Sequence, residues 1–232
     1  MGTKLSFYKA RMDSDIFLPF VSSSNELQFG EIALGSVNVI SEIDTYIFNG
    51  TTGDVIQLIV TRTSGSIQPE FEVYRPDGTE ICGASTVDNM ARVDCVLDHT
   101  GTFTLLVNDR NFDDLGSYEV YTQRLNNPSG TTVINYGQVK SNATTHVGER
   151  DTYNFSGNNG DVIQLIMTRT GGSIQSEFEV YRPDGTKICG ASTVNNVASV
   201  ICSLDASGVF IILANDRNFD NLGSYKLELS LN

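Results

Sequence analysis

Two acidic loops hold the residue types in this chain best suited to chemistry. They are Asp109-Arg110-Asn111-Phe112-Asp113-Asp114-Leu115-Gly116 and Asp216-Arg217-Asn218-Phe219-Asp220-Asn221-Leu222-Gly223. Oxygen side chains alternate in each, as Asp109, Asn111 and Asp113 and again as Asp216, Asn218 and Asp220. Three such ligands converging on one point would suit a hard cation, and Ca2+ is the one cofactor the residues suggest. The match to an EF-hand loop is partial, because the sixth position is Asp114 rather than Gly and the twelfth is Val120 rather than Glu. The other reading is that Asp and Asn close a long turn by bonding to their own backbone. On the sequence both stay open.

The remaining chemically active side chains are sparse. Cys82 and Cys95 recur with the same spacing as Cys189 and Cys202. Four cysteines allow three pairings, and only Cys82 with Cys95 and Cys189 with Cys202 gives two alike units the same structure. The alternative is two buried thiols in each unit. Paired cysteines persist outside the reducing cytosol, which reads as an exported protein of the extracellular space or cell surface. The two histidines, His99 and His146, align with Ala206 and Val39 of the other copy, outside the repeated framework. A nucleophile-base pair needs its base held by a third group. With the cysteines assigned to disulfides, the chain reads as no enzyme.

These residues sit on a duplicated frame. Asp54 to Cys82 occurs again as Asp161 to Cys189, agreeing at 25 of 29 positions, and a constant offset of 107 residues also relates Asp44 to Asp151 and Tyr118 to Tyr225. A repeat this long carries its own core, unlike solenoid repeats of roughly 20 to 50 residues. The expected organisation is an N-terminal arm over 1–26, one domain over 27–126, a linker over 127–131 and a second domain over 132–232.

Each domain reads as about eight short strands. In the first they are predicted over 28–34, 44–49, 54–63, 70–75, 79–83, 91–98, 102–108 and 117–125, separated by Gly, Asp, Asn and Ser turns. Pro76-Asp77-Gly78 predicts a hairpin. Phe103, Leu105 and Val107 share one face, as do Ile56, Leu58 and Val60, so one face of each sheet is inside. No helical period is sustained. The fold class is therefore all-β, two tandem antiparallel sandwiches with an extended arm. The predicted first core is Phe48, Ile56, Leu58, Phe71, Val73, Phe103, Leu105 and Tyr118, and the second is Phe155, Ile163, Leu165, Phe178, Val180, Phe210, Ile212 and Tyr225.

The ordered series D-T-Y-x-F-x-G, G-D-V-I-Q-L, Y-R-P-D-G-T, T-G-x-F and G-S-Y resembles the bacterial pre-peptidase C-terminal (PPC) domain family. Its relatives include the collagen-binding domains of clostridial collagenases. The stretches are Asp44 to Gly50, Gly53 to Leu58, Tyr74 to Thr79, Thr100 to Phe103 and Gly116 to Tyr118, with the same series 107 residues on. The resemblance covers both domains and leaves out the arm. It implies a jelly-roll-like sandwich, secretion and a non-catalytic accessory role, since such domains usually trail a protease or another hydrolase.

A formal charge of −13 repels nucleic acid and anionic membrane surfaces. No stretch reaches the roughly 18 to 20 apolar residues of a membrane span, so neither nucleic acid binding nor membrane insertion is expected. Two functions remain. One is a structural protein that polymerises head to tail, as a filament or surface layer, through the apolar arm segment Ile16, Phe17, Leu18, Phe20 and Val21. The other is an accessory binding module for polysaccharide or fibrous protein. Strand alternation places Ile201, Ile211 and Leu213 outside on one patch of the second domain, a docking surface for the arm of another copy. The unreduced protein should titrate no free thiol and give a β-type circular-dichroism spectrum.

Overall fold

Short runs of β-branched and aromatic residues, cut every few positions by Gly, Asp or Asn, cannot sustain a helix and pair instead as strands. The computed structural model describes residues 26–232. Its first half contains β1 (Ile32–Val37), β2 (Ile43–Gly50), β3 (Val55–Arg62), β4 (Pro69–Tyr74), β5 (Glu80–Ser85), β6 (Met90–Val96), β7 (Gly101–Asp109) and β8 (Gly116–Arg124). The second contains β9 (Thr132–Val133), β10 (Gln138–Thr144), β11 (Asp151–Gly157), β12 (Val162–Gly172), β13 (Ser176–Tyr181), β14 (Lys187–Ser192), β15 (Val197–Ser203), β16 (Gly208–Asp216) and β17 (Gly223–Leu231). No helix occurs among the described residues.

The first eight strands form two sheets, β1-β8-β3-β6 and β2-β7-β4-β5. The second half repeats them as β10-β17-β12-β15 and β14-β13-β16-β11-β9. Successive strands alternate between sheets except at the β4–β5 hairpin, the jelly-roll order, and the pairs between the eight strands are antiparallel. The Pro-Asp-Gly hairpin joins β4 to β5, with Arg75 N donating to Thr79 O at 2.8 Å.

Two boundaries differ from the sequence reading. The first strand begins at Ile32 rather than residue 28, because Gly30 at φ 86° turns the chain first. The repeat also reaches Glu26, which bridges Ile47 as Val133 bridges Asn154.

All sixteen predicted core residues are buried, in one cluster per sandwich. Cys82–Cys95 and Cys189–Cys202 are disulfides. Each ties the edge strand of one sheet to the edge strand of the other.

A polar link also crosses each core, and it explains why D-T-Y and G-S-Y recur together. The Tyr118 hydroxyl donates to Asp44 and lies 3.0 Å from the Tyr46 hydroxyl, joining β8 to β2. In the second sandwich Tyr225 donates to Asp151 at 2.5 Å and lies 2.8 Å from the Tyr153 hydroxyl. Burial pushes the Asp151 carboxyl up to about 6, against the lowering effect of the Tyr225 hydrogen bond. The folded chain thus holds this proton more tightly than the unfolded chain, whose Asp titrates near 3.8. The resulting stability is complete below about pH 4 and is lost as pH rises through about 6, a change of about 2–3 kcal/mol. Urea titrations between pH 4 and 7 should show this fall in the unmodified protein and a flatter profile in Asp151→Asn.

Candidate functional site

β3 and β12 carry nearly the same residues, VIQLIVTR and VIQLIMTR, yet only one is buried on both faces. Every residue from Ile56 to Thr61 is buried, whereas β12 alternates between buried and partly exposed positions. β8 and β17 differ in the same way. The cause is a junction inside the chain. The outer face of β1-β8-β3-β6 packs against the outer face of the second sandwich's β13, β16 and β11, with Tyr181, Ile211 and Leu213 meeting Leu125 and Val55. The second Pro-Asp-Gly turn presses on the same spot, since a Cβ on Gly185 would lie 2.8 Å from the Val55 Cβ.

At the centre of the junction stands Glu179, only 6 % exposed. Its Oε2 accepts from Arg92 of the first sandwich and from Arg150 of the second, each at 2.7 Å, and from the Tyr181 hydroxyl at 2.9 Å. Its Oε1 accepts from Lys187 Nζ at 2.6 Å. Burial pushes the Glu179 carboxyl up, but the charges of Arg150 and Arg92 and the Lys187 hydrogen bond outweigh this and hold it well below its ordinary range. The fully buried Arg150 guanidinium also donates to Gln57 of the first sandwich and to Asn215 Oδ1 at 3.0 Å. Around the rim Tyr121 and Gln123 meet the Thr152 hydroxyl, each at 3.1 Å. Glu119 pairs with His146 at 2.9 Å and accepts from Gly148 N at 2.8 Å.

The acidic loops are held by their first aspartate. Asp109 is buried; its Oδ1 accepts from Gln68 N at 2.8 Å, and its Oδ2 from the backbone N of Asn111, Asp113 and Asp114 at 3.1–3.3 Å. Burial raises this carboxyl, and the four N–H bonds outweigh it, so it lies below its usual range. Asp216 makes the same four bonds, to Gln175, Asn218, Asp220 and Asn221. The structure brings Asp109, Asp113 and Asp114 carboxylate oxygens within 4.8 Å of one another, while the Asn111 side chain reaches Gln68 at 3.4 Å. In the second loop Asn221 stands where the first has Asp114. The geometry is that of an Asx-type turn capped by a buried carboxylate.

The turn places a phenylalanine in the left-handed region in both copies, Phe112 at φ 61° and Phe219 at φ 56°. Such a conformation is unusual for a bulky residue and is sustained here by the carboxylate cage. Phe219 is 1 % exposed, packed against Ile59 and Tyr121 of the first sandwich with Ile32 and Met90 beside them. Asn89 of the first sandwich donates to the carbonyls of Asn218 and Phe219, at 3.0 and 3.2 Å.

The expected docking patch does not exist as one surface. Ile201 lies on β15, in the sheet with β12, and is 58 % exposed. Ile211 and Leu213 lie on β16, in the opposite sheet, and are buried against the first sandwich. β15 and β16 lie in opposite sheets, so alternation along each strand does not bring their outward residues onto one side. The arm residues Ile16, Phe17, Leu18, Phe20 and Val21 lie outside the described residues.

Arg150, Lys187, Arg92 and Glu179 were missed by sequence reasoning. The signal was present in the differences between copies, because the first three align with Ile43, Glu80 and Ser199. Removing one partner of a buried ion pair leaves the other charge unpaired, at about 3–5 kcal/mol. Arg150→Ala should therefore lower stability by about that much at pH 7 in urea titrations. Glu179, held low in the fold, contributes stability that is present above its unfolded value of 4.5 and lost on acidification. The deficit of the variant should accordingly shrink below about pH 4.

No family model and no curated protein matches the chain. Among solved structures the chain is similar to the pre-peptidase C-terminal domain of a collagenase from Bacillus anthracis, at 12 % identity and a TM-score of 0.39, over 45 % of this chain and 99 % of that one. It is also similar to the PBSX exported protein XepA, at 12 % identity and a TM-score of 0.32, over 90 % and 88 % of the two chains. A third is a Clostridium perfringens ZmpB structure holding an M60 catalytic domain with CBM51-1 and CBM51-2 domains, at 9 % identity and a TM-score of 0.25, over 81 % and 33 %.

Proposed function

We propose that this chain is a non-catalytic structural protein of the extracellular space that assembles head to tail. One observation carries the reading: the two sandwiches dock through unlike faces. The first uses the outer face of β1-β8-β3-β6, and the second uses the outer face of the sheet containing β13 and β16. Each sandwich possesses both kinds of face, so the chain has one of each kind not engaged in this junction. A contact between unlike faces does not close on itself and extends into a fibre. Two disulfides and a fixed junction suit a load-bearing unit outside the cell. The arm segment from Ile16 to Val21 adds a second contact between copies.

A second reading, an accessory module for polysaccharide or fibrous protein, is favoured by one feature. An open cleft beside the junction is lined by Arg62, Asn89, Met90, Arg217, Phe219 and Asp220. Against a sugar platform stands the surface itself, because the exposed large apolar side chains among the described residues are all aliphatic. Electron microscopy and size-exclusion chromatography of the full chain separate the two. The structural reading expects polymers that shorten or vanish on deletion of residues 1–24. A chain that stays monomeric at every concentration and is retained by a polysaccharide or collagen matrix overturns it.

A further inference from the structure

We propose that the cleft beside the junction binds an acidic saccharide, with the guanidiniums of Arg62 and Arg217 receiving its carboxylate. The inference goes beyond the structural reading above and stands whether or not copies polymerise. With 28 acidic against 15 basic side chains, the chain has few cations that lack an anion. Arg75, Arg92, Arg124, Arg150 and Arg182 each pair with a carboxylate, and Arg169 donates to Asn196. Arg62 and Arg217 differ. Among the described residues nothing accepts from Nε or Nη2 of Arg62, or from any part of the Arg217 guanidinium, and both side chains line the cleft.

The two copies show how Arg62 is left open. Arg62 N donates to Asn89 O at 2.7 Å, and Arg169 N donates to Asn196 O at 2.8 Å, so the same arginine and asparagine stand side by side in both sandwiches. Nη1 of each arginine donates to a loop carbonyl, Ile67 O at 2.9 Å and Ile174 O at 3.3 Å, which fixes the guanidinium. In the second sandwich Arg169 Nη2 then donates to the Asn196 side chain. In the first, the Asn89 amide turns across the junction to the carbonyls of Asn218 and Phe219, and Arg62 Nη2 is left facing the cleft. The same docking brings Arg217, one residue before Asn218, into that cleft. Two open cations thus meet where the sandwiches join.

The lining selects the class of ligand. A guanidinium presents paired N–H donors in a plane that match the two oxygens of a carboxylate. Asp88 and Asp220 also line the cleft, unpaired with either arginine among the described residues, and offer acceptors to hydroxyl groups. Val87, 63 % exposed, and Met90 give an apolar wall for the C–H face of a sugar ring. A uronate ring carries all three functions, whereas a neutral sugar leaves the guanidiniums unmet. The cleft volume of about 820 Å3 lies within the range of roughly 300–1,000 Å3 usual for small-ligand sites. Repulsion from the charge of −13 is screened beyond about 8 Å at physiological ionic strength, so contacts inside the cleft decide binding.

Titration calorimetry of the full chain with trigalacturonate tests this, with its methyl ester as the neutral counterpart. The acid should bind, and the ester should bind about tenfold more weakly or less well still. Arg217→Gln should cost a similar factor at an unchanged melting temperature, because that guanidinium holds no other described residue. Arg62→Gln should weaken binding as well. Arg169→Gln removes the corresponding carbonyl bond from the other copy and should leave binding intact. Equal affinity for acid and ester, no binding of the acid at millimolar concentration, or an Arg217→Gln variant that binds as well as the unmodified chain overturns the site. A peptide with a free C-terminal carboxylate that binds where the saccharide does not, and loses affinity in Arg217→Gln, overturns the saccharide assignment. None of these readouts needs polymers. Sedimentation velocity on the same samples follows assembly separately, so failure of the site and failure of the structural reading are distinguishable.

Discussion

Glu179 is a carboxylate taken out of water between two sandwiches, and the placement of the second sandwich depends on how its charge is met. A buried anion is tolerable only when opposite charges and donors surround it. Arg150 and Lys187 come from its own sandwich, whereas Arg92 comes from the other. The charge is therefore fully compensated only when the halves are docked in this one orientation. Buried ion pairs are weak evidence for net stability, and their better-attested role is to select one arrangement among several apolar alternatives. The apolar area on either side, with Tyr181, Ile211 and Leu213 on one flank and Phe219 on the other, supplies the attraction that the ions orient.

Duplication explains why such a junction could arise. A jelly roll has two outer faces, and tandem copies linked by a few residues bring one face of each together. The copies then diverge where they touch. Arg92, Arg150 and Lys187 occur only in the copy whose geometry uses them, and the aligned Ser199, Ile43 and Glu80 keep no trace of the cluster. By contrast, the inter-sheet links of Asp, Tyr and Tyr and the disulfides are needed inside every copy, and both copies retain them.

The acidic loops show how one residue type can serve two chemistries. A carboxylate with alternating oxygen neighbours is equally a hard-cation ligand and a turn cap, and the choice turns on where its lone pairs go. In both loops the first aspartate accepts from backbone N–H groups of the turn, and the phenylalanine inside it stands in the left-handed region. In the second loop the phenylalanine so held, Phe219, packs against the first sandwich.

The duplication, the strand count, both cores and both disulfides were legible in the sequence, because each rests on short-range periodicity, on turn residues or on a repeated spacing. Phe103, Leu105 and Val107 declare a buried face through alternation alone, wherever their strand sits. Alternation says nothing about which sheet a strand joins, and so Ile201 and Ile211 were placed on one surface when the jelly-roll crossover puts them on opposite sides. Nor can a strand sequence show whether its outer face is covered. VIQLI is buried on both faces in one copy and on one face in the other, with the same residues, because burial of an outer face is decided by what docks there. That outcome, and with it the roles of Glu179, Arg150 and Phe219, belonged to the tertiary structure, where residues more than 80 positions apart meet in a buried junction.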